Sequence, residues 1–135
     1  MAIADGHGLP IAIGIASGPR HEAPLALEML GQRFVRGRLL RLIGDRAYDS
    51  TPLENELAKR GTELIAPIRR GTIRLRRNRK PDGRPLRRYK RRWLVERFFS
   101  WLMKWRRLVT RYEYKPENFL AFVELATAII LVRRF

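Results

Sequence analysis

The sequence predicts an α/β domain in which a mixed sheet carries packed helices. Short apolar runs bounded by Gly, Pro and Asp read as strands in the first half of the chain, and capped helical segments alternate with them. The second half holds a long stretch without Pro or Gly, in which apolar residues recur at helical spacing. At 135 residues the chain has room for one domain of ordinary size, and 45% hydrophobic content can fill its core.

Met1 to Ala4 and Ile11 to Ala16 are apolar runs joined by Asp-Gly-His-Gly-Leu-Pro, which is turn chemistry, so they form an antiparallel hairpin. Its first strand starts at the first residue with no lead-in, and a preceding segment is expected. Asp5 and His7 are turn residues. A short helix follows, with Pro24 near its start and Gly31 as its stop. Leu39 to Ile43 is the next strand and runs into Gly44-Asp45-Arg46-Ala47-Tyr48. Thr51 caps the helix behind it, Pro52 takes the first helical position, Glu54 completes a capping box and Gly61 ends it. Glu63 to Ile68 is the last strand, with Pro67 marking an edge or strand end.

Tyr89 to Tyr114 reads as one long helix. At about 100° per residue, Leu94, Phe98, Leu102, Trp105 and Val109 form an apolar stripe, widened by Val95, Trp101 and Leu108. Tyr89, Arg92, Glu96, Ser100, Met103 and Arg107 share the opposite side. Pro116 opens a final helix, apolar around most of its circumference through Val132, which is expected to be buried under the sheet.

Lys and Arg total 29 against 13 Asp and Glu, a net charge of +16. Such an imbalance points to polyanionic partners, with nucleic acid ahead of an acidic membrane surface. Between Arg69 and Arg92 there are 13 basic residues and one acid, Asp82. Pro81, Gly83 and Pro85 forbid a regular helix before about Leu86, so residues 69–88 form a basic loop. Arg69, Arg70, Arg74, Arg76, Arg77, Arg79, Lys80, Arg87, Arg88, Lys90 and Arg91 there, with Arg107 beyond, are the expected DNA contacts. Trp101 and Trp105 are core residues by their stripe, whereas Trp93 falls off it and could stack on a base. The absence of cysteine excludes a disulfide framework and suits an intracellular protein. Neither a leader peptide nor a membrane span is expected, since the most apolar run is short and contains Glu124.

Asp45 and Glu96 are the residues that could carry chemistry. Asp45 follows a strand through a glycine, and ligands of α/β sheets bind outside the carboxyl ends of strands. Glu96 is a carboxylate among arginines on the polar side of its helix. Two such carboxylates, if they converge, suit Mg²⁺, which takes oxygen ligands and few protein carboxylates. On spacing alone the alternative stands that Asp45 caps its turn while Glu96 pairs with Arg92. His21, before Glu22 at a helix start, could orient the segment near the site.

The stretch Leu-Ile-Gly-Asp-Arg-Ala-Tyr-Asp-Ser, then Tyr89 to Glu113, then Asn118 to Ala126 resembles the catalytic half of a bacterial insertion-sequence transposase of the DDE class. The hairpin is similar to the segment between that family's first and second catalytic acids, so the resemblance spans nearly the whole chain. It implies a ribonuclease-H-like fold, truncated at the N-terminus, with residues 1–135 as part of the catalytic domain. It also implies Mg²⁺ or Mn²⁺, transposon-end and target DNA, a homo-oligomer when complete, and a bacterial cytoplasmic, nucleoid-associated setting. By this resemblance Asp45 matches the second catalytic aspartate and Glu96 the glutamate, both metal ligands. Tyr89 and Arg92 match the Tyr-x-x-Arg-x-x-x-Glu signature. Met103 stands where the family has a basic residue, with Arg107 as the nearer substitute, and Ala47 stands where glycine is usual.

The family's first aspartate has no counterpart, because Asp5 lies in a turn after the wrong strand. Two acids alone would leave the metal under-coordinated, so the chain by itself is expected not to cut or join DNA. An upstream segment supplied by ribosomal frameshifting, or a decayed element, would account for that. The contrasting expectation is a non-catalytic basic nucleic-acid-binding module that reuses the fold.

Overall fold

The computed structural model describes residues 1–18, 21–68 and 87–134. The chain divides into two compact units. Residues 1–20, 28–35 and 93–135 make the first, and residues 21–27 and 36–92 make the second.

In the first unit, β1 (Ala2–Ala4) and β2 (Pro10–Ile13) pair antiparallel, with Ala2 opposite Ile13, Ile3 opposite Ala12 and a bulge between Ile3 and Ala4. The turn forms because Asp5 organises it. Its Oδ1 accepts from the backbone N–H of His7 at 2.8 Å and of Leu9 at 2.9 Å. Gly8 supplies the left-handed φ of 84° that the turn requires.

Two helices pack on this hairpin, α3 (Trp93–Leu102) and α5 (Pro116–Val132), with a short helix, α4 (Arg106–Val109), against α5. Ile13, Phe98, Leu102, Ala126 and Ile130 form the core, and Trp101, Trp105, Leu108 and Val123 pack around it. Phe98 has no exposed surface.

The second unit is a β-α-β arrangement. β3 (Arg41–Ile43) and β4 (Glu63–Ile65) pair parallel in register, as a helical connection between them demands. The connection is α2 (Thr51–Lys59), which packs on β4 and buries Leu53 and Leu57. Gly61, at φ 70°, turns the chain out of the helix. Thr62 then goes under cover, its hydroxyl donating to the Leu39 carbonyl at 2.8 Å. The helix α1 (Glu22–Gly31) contributes its first turns to this unit and its last to the other, burying Leu25, Ala26, Met29 and Leu30.

The structure corrects four expectations. Among the described residues there are two separate two-stranded ladders, one antiparallel and one parallel, where a single mixed sheet was predicted. The strands are only three or four residues long, shorter than their apolar runs.

The long helix is not continuous. A 3-10 turn, Lys90–Arg92, precedes α3, and the helix ends at Leu102, with Trp105 in an extended conformation at φ −93°, ψ 110°. No Pro or Gly marks that break. Trp105 and Leu108 pack against the core through it, while Val109, placed on the stripe by a straight helix, is 60% exposed. Tertiary packing has overridden a sequence that favours one rod.

The cap of α2 is Ser50, one residue ahead of Thr51, and it makes no side-chain capping bond. Finally, α5 buries one side only. Ala126, Thr127 and Ile130 are covered, whereas Leu125 and Val132 are exposed.

Candidate active site

Asp45 sits at the carboxyl end of β3, where the parallel ladder ends with the Gly44 N–H donating to the Ile65 carbonyl at 3.0 Å. It caps the 3-10 turn Arg46–Tyr48. Its Oδ1 accepts from the Ala47 N–H at 2.7 Å, which fixes the carboxylate's rotation. The other oxygen, Oδ2, lies 3.8 Å from Arg92 Nη1, with both side chains about four-tenths exposed. A pair at that distance and exposure contributes little to stability, at most about 1 kcal/mol. Its weight is in orientation. Arg92 in turn lies over the Tyr89 ring, 5.6 Å from the centroid, so Tyr89, Arg92 and Asp45 form a chain of contacts within the second unit.

Tyr48 and Glu22 complete this corner, and sequence reasoning missed both. The half-buried Tyr48 hydroxyl bonds to the Glu22 carboxylate. Burial first, then the negative charges of Glu22 and Asp45, push the phenol well above its ordinary value. It therefore stays a neutral donor. A Cβ on Gly44 would lie 2.7 Å from the Tyr48 ring, so only glycine lets the ring pack over the strand end. The spacing of Gly44 and Tyr48 about an acid was the readable signal. The partner Glu22, in a distant segment, was not readable.

Glu96 lies in the first turn of α3, in the first unit, and is exposed. A carboxylate there is favoured by the helix dipole. Among the described residues no group of three or more His, Asp or Glu is arranged to hold a metal ion. Asp5 is committed to its turn, with His7 3.7 Å away. His21 is exposed, at the residue before α1.

Of the expected DNA contacts, Arg69, Arg70, Arg74, Arg76, Arg77, Arg79 and Lys80 lie outside the described residues. Arg87 to Tyr89 are helical, and Arg87, Arg88, Lys90 and Arg91 are all exposed. Arg107 is engaged elsewhere. It pairs with Glu113 at 3.2 Å and lies over Phe122, 4.9 Å from the centroid. The Glu113 side chain is nearly covered, so this pair fastens the segment between α4 and α5. No helix among the described residues is long and apolar enough to cross a membrane.

A family model described as the transposase DDE domain matches residues 1–131. The chain is 31% identical over 135 residues to a Brucella ovis protein named as a transposase for insertion sequence element IS6501, covering 98% of this chain and 95% of that protein. It is 29% identical over 136 residues to a Burkholderia cepacia protein named as a transposase for insertion sequence element IS402. That alignment covers 95% of this chain and 59% of the relative, so the chain spans little more than half of the longer protein. No solved structure matches. A match across almost all of the sequence, on the segment that contains both Asp45 and Glu96, decides the family: this chain belongs to the DDE transposases of bacterial insertion sequences.

Proposed function

We propose that the chain serves in DNA transposition, as part of a ribonuclease-H-like catalytic domain spanning residues 1–135. Asp45 and Glu96 act there as ligands to Mg²⁺ or Mn²⁺. The observation that carries this reading is the presentation of Asp45. It stands at the carboxyl end of a parallel strand, with one oxygen held by a backbone N–H and the other turned toward a half-exposed arginine. The family match supports the pairing with Glu96.

The donor chemistry fits the ion. Carboxylate oxygens suit Mg²⁺, which commonly binds one or two of them and keeps its remaining ligands as water or substrate phosphate. Once bound, the ion would polarise a phosphodiester and activate a water or a 3′-hydroxyl.

The chain's own residues do the rest. The Ala47 N–H holds Asp45 in one rotamer. Arg92, steadied over Tyr89, orients that carboxylate or donates to a phosphate oxygen through its planar fork. Arg87, Arg88, Lys90 and Arg91, with the basic run before them, neutralise the DNA backbone. Transposon-end and target DNA are the substrates, handled by a homo-oligomer in the bacterial cytoplasm.

A second reading has one observation in its favour. The exposed Arg87, Arg88, Lys90 and Arg91 would equally serve a non-catalytic nucleic-acid-binding module.

A transposition assay in cells separates the two, using the coding sequence with its native flanking DNA. Asp45→Asn and Glu96→Gln should each reduce transposition by more than the roughly 10- to 100-fold that loss of an outer-shell partner costs. Transposition that survives both changes would exclude the catalytic reading. DNA binding that is indifferent to metal would favour the module.

A further inference from the structure

The residue after Glu96 is held more firmly than a surface arginine ordinarily is. Arg97 reaches from α3 to the hairpin turn, both within the first unit. Its guanidinium carbon lies 4.8 Å from the Trp93 ring centroid and 5.0 Å from that of Trp101, one helical turn to either side. Its Nη2 donates to the His7 carbonyl, and its Nε is buried without a hydrogen-bond partner.

The other end of this tie is equally fixed. Asp5 Oδ1 accepts from the N–H groups of His7 and Leu9, and the Gly8 N–H donates to the Asp5 carbonyl at 3.1 Å. Those bonds set the direction of the His7 carbonyl. A Cβ on Gly8 would lie 2.6 Å from Arg97 Nη2 and 3.3 Å from Leu94 Cβ, and Gly8 has a φ of 84°. Glycine is what lets the turn close on α3.

A methionine of similar reach would fill the space between the indoles without leaving a buried N–H unpaired. What a planar cation adds is direction, because it stacks on both rings and delivers its hydrogen bond along a fixed line. That direction acts on the start of α3, and helix ends otherwise fray. Glu96 is the fourth residue of the helix and Arg97 the fifth. Whatever fixes the rotation of Arg97 therefore fixes that of Glu96, about 100° away around the axis.

We propose that Arg97 is the positioning residue for Glu96. Held between Trp93 and Trp101 and tied to the His7 carbonyl, it sets the rotation of the first turn of α3 and so the direction in which Glu96 presents its carboxylate to a divalent cation. The inference rests on the reading of Glu96 as a metal ligand and adds to it the part of the fold that aims it.

The test is Mn²⁺ uptake by the full chain at saturating duplex DNA, read from the resonance of the free ion, beside urea unfolding of the same variants. Wild type should bind the ion, and Arg97→Met and Gly8→Ala should each weaken its binding to the folded chain about tenfold. The two together should weaken it little more than either alone, because both act on one contact. Arg97→Lys, which keeps a cation and a donor without the fork, should fall between Arg97→Met and wild type. The sign is decisive. Removing a positive charge beside a cation site would by Coulomb's law tighten binding, so a weaker ion is the opposite of what lost charge alone would do. Should Arg97→Met fail to fold, Gly8→Ala and Arg97→Lys decide the matter. Unchanged or tighter binding by the folded variants, with stability alone reduced, would make Arg97 a structural tie and overturn the inference while leaving Glu96 a ligand. Failure of wild type to take up the ion, or uptake that Glu96→Gln leaves unchanged, would overturn the reading of Glu96 beneath it.

Discussion

Replacing Gly44 with alanine isolates the packing that sets the direction of Asp45. A Cβ there would lie 2.7, 2.8 and 2.9 Å from three carbons of Tyr48, closer than such atoms approach in proteins. Neither side can yield freely. The Gly44 N–H is bonded to Ile65 at 3.0 Å, and the Tyr48 hydroxyl is bonded to Glu22. Forcing a methyl into such a site costs about 1–3 kcal/mol. Gly44 is not among the glycines of positive φ, so alanine also restricts the unfolded chain and returns about 0.4–1 kcal/mol. The net expectation is a loss of about 1–2 kcal/mol in urea unfolding. With Tyr48→Ala in the background the two ring contacts are gone and only the Cβ contact at 2.9 Å remains, so Gly44→Ala should cost markedly less than in wild type. A double-mutant cycle reads the difference as a coupling of about 1–3 kcal/mol. An equal effect of Gly44→Ala in both backgrounds would refute the reasoning.

Three further outcomes follow from the same geometry. Phe98→Ala should destabilise by about 3–5 kcal/mol in denaturant unfolding, because the ring is fully buried at the centre of the first unit's core. The raised phenol of Tyr48 favours the protonated state in the fold. Its contribution is therefore complete below the ordinary tyrosine value of about 10 and declines as pH rises through the folded value. Melting curves of Tyr48→Phe should thus fall less than wild type above about pH 10, and parallel curves would contradict this. Changing Arg87, Arg88, Lys90 and Arg91 together to alanine should make duplex binding less sensitive to salt. The slope of log affinity against log salt should become shallower by about 0.9 for each phosphate these side chains neutralise.

The hairpin, the β-α-β order and the place of Asp45 were legible because turn residues and helix stops are local signals. Asp5, Gly8, Gly31 and Gly61 each punctuate the chain where their chemistry says they should. The break after Leu102 was not legible. Its cause is the seating of Trp105 and Leu108 against residues distant in sequence, and no local breaker announces it. For the same reason the exposed side of α5 escaped notice, since uniform apolarity cannot say which face finds a partner. The basic character of Arg87 to Arg92 could be read from composition. The commitment of Arg97 to two indoles and of Arg107 to Glu113 depends on tertiary packing. The acids resolved as far as their chemistry reaches. Asp45 is oriented by its own turn, whereas Glu96 was singled out only by its resemblance to a family signature.

Binding of Mn²⁺, followed by the paramagnetic resonance of the free ion in the presence of duplex DNA, tests the pairing of these two carboxylates most directly. Wild type should take up one ion that weakens at least about tenfold with Asp45→Asn and equally with Glu96→Gln, the double substitution removing no second ion. Unchanged uptake by either variant, or the loss of one ion with Asp45 and a different one with Glu96, would mean that the two residues do not share a metal.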